Sequence, residues 1–307
     1  VKNVGELENY GLELAIGGDP FVGAFKWNIN GNIAFNRNEI ISLGDVEKFF
    51  ANDGENVFGH RKIKGSMVKV GEPVGIFWGY VHEGVFRDEE DVQNYTTDVY
   101  DEDGNFVETR VIQPDAEPGE LKFKDVNQDG QITPDDRTRI GNPQPNFFWG
   151  LTNNFSYKNF DLNIFWNGVY GNDVFNVNLI ENFAILNNTN QVKEAVNRWT
   201  PDNRDTDVPK VQSRYTDWQG SRHIEDGTFI RLRNISLGYK LPVAKMNLTW
   251  MRSLRVYISG QNLLTITDYS GYDPEVNVLG QDNLNLGVDY GTYPKMKSYT
   301  IGINVGF

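Results

Sequence analysis

Tyr299-Thr300-Ile301-Gly302-Ile303-Asn304-Val305-Gly306-Phe307 alternates without a break. Tyr299, Ile301, Ile303, Val305 and Phe307 fall on one face; Thr300, Gly302, Asn304 and Gly306 fall on the other. A repeat of two is that of a β-strand. In a water-soluble protein the apolar face would line a core, whereas in a membrane barrel it would face lipid. The sequence stops on this strand with an aromatic residue, as expected of a closing strand whose end is paired.

The same alternation recurs upstream. Phe25, Trp27, Ile29, Ile33 and Phe35 alternate with Lys26, Asn28, Asn30, Asn32 and Asn36. Burying that second face in a dry core would strand amides at about 1–3 kcal/mol each, and a water-filled lumen removes the cost. Phe147, Trp149, Leu151, Phe155 and Tyr157 form another run. After Lys158 and Asn159 it resumes as Phe160, Leu162, Ile164 and Trp166, so a tight hairpin is expected there. Further strands are expected over 6–17, 74–86, 228–240 and 252–265, giving about eight in all. Trp149, Tyr157, Phe160, Trp166, Tyr239, Trp250 and Tyr257 lie near strand ends, where membrane barrels carry aromatic girdles. Ordinary packing in a soluble β-sandwich is the alternative.

Composition agrees. The 307 residues include no cysteine, which removes disulfides, zinc–thiolate sites and thiol nucleophiles. A net charge of −13 argues against nucleic acid as a partner, since phosphate contact needs clustered Lys and Arg. Aromatics reach 13% while no stretch approaches the ~20 apolar residues of a spanning helix. Residues 44–73, 87–145, 172–227 and 266–293 are rich in Asp, Asn, Gly and Pro. Connections of that length suit the extracellular side of a barrel. Within one of them Asn190 caps a short expected helix, with Val192, Ala195, Val196 and Trp199 at helical spacing. Val1 starts the chain with neither Met nor a basic leader, so a mature or truncated piece of a longer protein is expected.

One segment has metal-ligand spacing. Asp125, Asn127 and Asp129 stand at positions 1, 3 and 5 of a twelve-residue loop, with Gly130 at 6, Ile132 at 8 and Asp136 at 12. Gln131 can offer its backbone carbonyl at position 7, so the set resembles a calcium loop. Asp replaces the usual Glu at position 12, and the shorter carboxylate reaches an ion differently. An Asx-rich turn without metal is the other reading. The role of calcium, if it binds, would be structural.

Signs of catalysis are sparse. His60, His82 and His223 lack a recognisable serine or acid partner motif, and there is no phosphate-cradling glycine loop or zinc spacing. Adjacent acids such as Glu89-Glu90 and Asp135-Asp136 read as solvated loop charges. The chain is therefore not expected to be an enzyme, and no organic cofactor is expected. Tyr95, Tyr100, Trp218, Tyr269, Tyr272 and Tyr290 lie in the long loops, where they suit either contact with a sugar or peptide, or bracing of the loops.

The ordered motifs resemble one family. They run Gly71-Glu-Pro-Val-Gly-Ile-Phe-Trp-Gly-Tyr80 with Glu83-Gly-Val-Phe86, then Pro118-Gly119, Phe123-Lys-Asp-Val-Asn-Gln-Asp-Gly130 and Ile140-Gly-Asn-Pro143. Trp199-Thr-Pro201 and Ile224-Glu-Asp-Gly-Thr-Phe-Ile-Arg-Leu-Arg-Asn-Ile-Ser-Leu-Gly-Tyr239 follow. Leu254-Arg-Val-Tyr-Ile-Ser-Gly-Gln-Asn-Leu-Leu264, Tyr269-Ser-Gly-Tyr-Asp-Pro-Glu275 and Gly287-Val-Asp-Tyr-Gly-Thr-Tyr-Pro294 complete the series. Taken together, they resemble the C-terminal part of SusC/RagA-type TonB-linked outer-membrane proteins of Bacteroidetes. The resemblance implies an all-β, antiparallel transmembrane barrel of about 22 strands, with residues 1–307 its C-terminal portion and the plug domain and N-terminal strands not present. It implies import of oligosaccharides or peptides across the outer membrane. The implied partners are outer-membrane lipid, a SusD-like lipoprotein lid, and TonB acting through the absent N-terminal region. A soluble β-sandwich glycan-binding or adhesin module is the alternative. Specificity would lie in the loops at 87–117 and 172–227.

Overall fold

The computed structural model describes residues 5–51, 65–183, 191–211, 219–246, 250–278, 280 and 282–307. Seven long strands form one sheet: β1 (Glu6–Val22), β2 (Phe25–Ser42), β3 (Phe147–Tyr157), β4 (Phe160–Tyr170), β5 (Phe229–Leu241), β6 (Ser253–Thr267) and β7 (Ser298–Gly306). Each pairs antiparallel with its neighbours in chain order. The connections alternate in length. Residues 23–24, 158–159 and 242–252 turn the chain at one end of the sheet, while 43–146, 171–228 and 268–297 cross over at the other. Lys158 takes φ +53°, the left-handed conformation that a two-residue hairpin demands.

The two faces differ as their residues dictate. Tyr10, Leu12, Leu14 and Ile16 of β1 share one face with Ile258 of β6 and with Tyr299, Ile301 and Ile303 of β7, and all are exposed; Ile16 and Ile301 reach 82% and 84%. A contiguous apolar face of this extent is not covered by a second layer, which removes the β-sandwich alternative and suits contact with lipid. Aromatic pairs fringe it at both ends. Near the short turns Phe21 stacks on Trp27, Trp27 on Phe155, Phe160 packs on Tyr239, and Trp250 on Phe307. Toward the long loops Phe35 meets Phe147, and Phe147 meets Tyr170. From Phe25 to Phe35 the strand rises roughly 33 Å at ~3.3 Å per residue, or about 25 Å when tilted by ~40°, the height of a barrel's apolar band.

Asparagines occupy the opposite face and satisfy one another across strands. Asn154 donates to Asn28 at 3.2 Å, Asn163 to Asn154 at 2.7 Å, and Asn234 to Asn163 at 2.8 Å. Asn28 in turn donates to Asp19 at 3.0 Å. The side-chain ladder thus links β1 through β5. Arg255 of β6 reaches across β5 to Asp161 of β4, its Nε 2.9 Å from the carboxylate. It passes over Gly238, where a Cβ would collide with the guanidinium.

Buried hydrophobic clusters sit in the crossover connections, not in the wall. Phe77, Phe175, Val177, Ile180 and Val288 form one core, and Tyr80, Val85, Leu121 and Phe123 another. Short strands organise them, including Ser66–Lys69, Ile76–Gly79, His82–Val85 and Leu121–Phe123. Here the strand expected over 74–86 needs correction. It is two short strands broken at Tyr80–Val81, in two different small sheets. The run Ile76–Gly79 is buried at every position, so it lacks the one-sided exposure of a wall strand. The wall accordingly has seven strands here, not eight. The expected helix after Asn190 is a single 3-10 turn, Lys193–Asn197, in which Ala195 is buried and Val196 exposed; Asn190 itself lies outside the described residues.

If the apolar face meets lipid, Ile301→Arg lowers the stability of the bilayer-embedded chain by about 2–4 kcal/mol, whereas a water-exposed site would change by less than ~0.5 kcal/mol. Urea titration of refolding into lipid vesicles measures the difference.

Candidate functional site

At the loop end of β5 and β6 the register breaks between Leu232 and Asn234, and Asn262 of β6 takes φ +53°. This bulge re-aims Arg233. Its guanidinium lies 2.9 Å from Glu275 and contacts the Asn262 amide oxygen at 3.5 Å. Arg231, 1% exposed, lies 2.6 Å from Asp273 and 3.0 Å from Glu275. Asp273 also accepts the backbone N–H groups of Glu275 and Lys295, at 2.9 and 3.0 Å. Burial works against the Asp273 charge. The Arg231 hydrogen bond and these two amides outweigh it and hold the carboxyl below the usual carboxylate range. Two arginines of the wall thereby fix the segment 268–297 over the sheet. The sequence showed both halves, Ile230-Arg-Leu-Arg233 and Asp273-Pro-Glu275, but not that they meet.

The acidic loop forms as one unit. Gly130 has φ +79°, so position 6 takes the turn that glycine permits. Ile132 packs against the core of Tyr80, Val85, Leu121 and Phe123, anchoring position 8. Asp125 accepts the Gly130 N–H at 2.8 Å through Oδ2, and Asp136 accepts the N–H groups of Val126 and Thr133 at 2.9 and 2.7 Å. Asn127 accepts the Asp129 N–H at 3.1 Å, and Asp129 accepts the Gln131 N–H at 2.9 Å. All five candidate ligand residues therefore share one turn. Among the described residues no three Asp, Glu, His or Cys side chains gather at metal-holding distance, because these carboxylates take amide partners. Burial pushes the Asp125 carboxyl up, with the charges of Asp136 and Asp129 adding to the shift against the Gly130 hydrogen bond.

His82 and His223 pack edge to face, their rings 5.7 Å apart. Burial, with the neighbouring Arg222, lowers them to about 2 and about 3. Histidines held that low are poor bases at neutral pH. His60 lies outside the described residues.

The loop tyrosines divide. The Tyr95 hydroxyl donates to Glu83 at 2.7 Å and has the Phe123 carbonyl as a second acceptor within reach at 2.8 Å. Tyr269 is buried and donates to Asp289 at 2.5 Å; burial and that bond push its phenol up. Tyr290 packs against the core around Phe77. These three brace the loops. Tyr100, on the hairpin Thr96–Tyr100 and Phe106–Val111, is 57% exposed. Tyr272 is 85% exposed and rims a cleft of about 520 Å³ with Asn176, Asn178, Glu194, Ser270 and Asp289. A second cleft of about 620 Å³ shares Leu179 and Ser270 with it and adds Asp207, Arg222 and Glu225. Trp218 lies outside the described residues.

An all-antiparallel meander with an exposed apolar face, an amide-lined opposite face and braced loops at one end is a segment of a transmembrane β-barrel wall. No protein-family model matches the chain. A TonB-dependent receptor of Formosa agariphila is 36% identical over 316 aligned residues, covering 100% of this chain and 29% of the receptor. The TonB-dependent receptor SusC of Bacteroides thetaiotaomicron is 28% identical, covering 100% of this chain and 27% of SusC. Among solved structures, a RagAB peptide transporter chain superposes with a TM-score of 0.74 at 26% identity, over 100% of this chain and 30% of that one. Over its whole length the chain is similar to one segment of TonB-dependent receptors of the SusC and RagA type, and it spans about three-tenths of the relatives it matches.

Because Asp273 titrates below its ordinary 3.8, its contribution is full above that pH and is lost as pH falls through the lowered folded value. Protease cleavage within 268–297 should therefore stay slow at pH 5 and rise sharply as the pH drops below about 4. Removing the partner outright, as Asp273→Ala, should cost about 3–5 kcal/mol by leaving Arg231 buried with half its counter-charge.

Proposed function

We propose that this segment forms wall and mouth of an outer-membrane transporter that takes up oligosaccharides or peptides with energy from TonB. In this reading the apolar face meets outer-membrane lipid and the asparagine face lines the lumen. The braced loops stand outside the cell, under a SusD-like lipoprotein lid, and TonB acts through a plug contributed by another part of the polypeptide. The observation that carries the reading is the match of the whole chain, in sequence and in fold, to TonB-dependent receptors and to the RagAB peptide transporter. The matched relatives are receptors and transporters, not enzymes, and the lowered histidines agree with a non-catalytic role.

Cargo contact falls to the clefts around Ser270. Their amides, carboxylates and the exposed Tyr272 ring offer alternating donors, acceptors and an apolar platform. Glycans and peptides both present dense hydrogen-bonding groups beside small apolar patches, which suits such a surface.

The test is intact mass after detergent extraction from native outer membranes. A parent chain well above 35.0 kDa, co-purifying with a surface lipoprotein, is the expected result. A 35.0 kDa species alone in the soluble fraction would overturn the proposal.

A further inference from the structure

We infer that the turn Asp125–Asp136 is a calcium site that rigidifies the loop body. Two observations carry it. The first is the pairing of two carboxylates in a nearly dry place: Asp125 is 7% exposed and Asp136 0%. Among the described residues neither forms an ion pair with a Lys or Arg; the nearby Arg110 guanidinium instead donates to the Asp129 carbonyl at 2.9 Å, and Arg137 lies over the Tyr80 ring. Two buried like charges without a cation are costly, and a divalent ion would supply the missing counter-charge.

The second observation is independent of the acid count. Asp125 Oδ1 is buried and has no hydrogen-bond partner, while its Oδ2 is held by the Gly130 N–H. The amide holds one carboxylate oxygen and leaves the other buried and unpartnered. Asn127 Oδ1, Asp129, the Gln131 carbonyl and Asp136 stand at the spacing that surrounds that oxygen in a twelve-residue cation loop. The ligands are all oxygen, which selects a hard cation. A flexible loop of carbonyl, amide and carboxylate groups favours calcium over magnesium, whose octahedral demand at ~2.0–2.1 Å is stricter.

Preorganisation is incomplete. Asp129 and Asp136 must exchange backbone amides for the ion, so affinity falls in the range of about 10⁻⁴–10⁻³ M typical of extracellular calcium modules. Below that concentration the turn is held by Asx hydrogen bonds alone. The anchoring of Ile132 in the core, and of the Asp129 carbonyl by Arg110, passes the ion's constraint to the Thr96–Val111 hairpin.

Hydrogen–deuterium exchange on the full-length receptor in detergent, titrated with calcium chloride to about 10 mM, tests it locally. Exchange in peptides spanning 121–141 should slow by about tenfold or more with half-saturation near 10⁻⁴–10⁻³ M, and magnesium chloride should not reproduce it. Asp136→Asn should abolish the response. Because that buried change can also unfold the turn, Asp129→Ala, at a part-exposed position, is the decisive variant: it should raise the half-saturating calcium by about tenfold or more. Wild-type exchange that ignores calcium, or an Asp129→Ala response identical to wild type, would overturn the site.

Discussion

A strand that crosses hydrocarbon must give every backbone N–H and C=O to a neighbouring strand, because no water is there to take them. The rest of this structure follows from that requirement. It forces the seven long strands into unbroken lateral pairing, in chain order, with little tolerance for gaps. It also places the irregular backbone at the ends, where shorter connections (23–24, 158–159 and 242–252) close one side and long crossovers the other. β1 and β7, each paired on one side only among the described residues, are left with one open edge apiece.

With one exposed apolar face and one amide-lined face, the wall has no core of its own among the described residues. The chain concentrates its dry packing in the crossovers instead, around Phe77, Phe175, Leu121 and Phe123. The loop body is therefore an ordered structure with its own small sheets. Arg231 and Arg233 join it to the wall through Asp273 and Glu275, so the mouth and the barrel behave as one piece along that edge.

What was legible in the sequence was whatever has a period. Alternation marked all seven wall strands to within a residue at their starts, and it set Asn28, Asn30 and Asn32 together on one polar face. The turn at Lys158–Asn159 and the Asx-bonded turn at Asp125–Asp136 were legible because short-range geometry dictates them. The stretch 74–86 misled for a physical reason: an apolar run of that length reads alike whether its strand faces lipid or is buried on both sides, and only the long-range packing of Ile76–Gly79 distinguishes them. Partnerships between distant segments, such as Arg231 with Asp273, leave no periodic trace, though the residue types on both sides invited the pairing.

The passage of Arg255 over Gly238 has a consequence for how the wall finds its alignment. Alternation penalises a slip of one residue, which would turn every lipid-facing side chain inward, but it is blind to a slip of two. A missing side chain set under one particular arginine is not blind to it. After a slip of two the guanidinium would ride over a neighbour with a side chain and lose Asp161, and Tyr257 over Gly302 imposes the same condition one strand further on. Small residues keyed to large ones thus distinguish registers that hydrophobicity treats as equal.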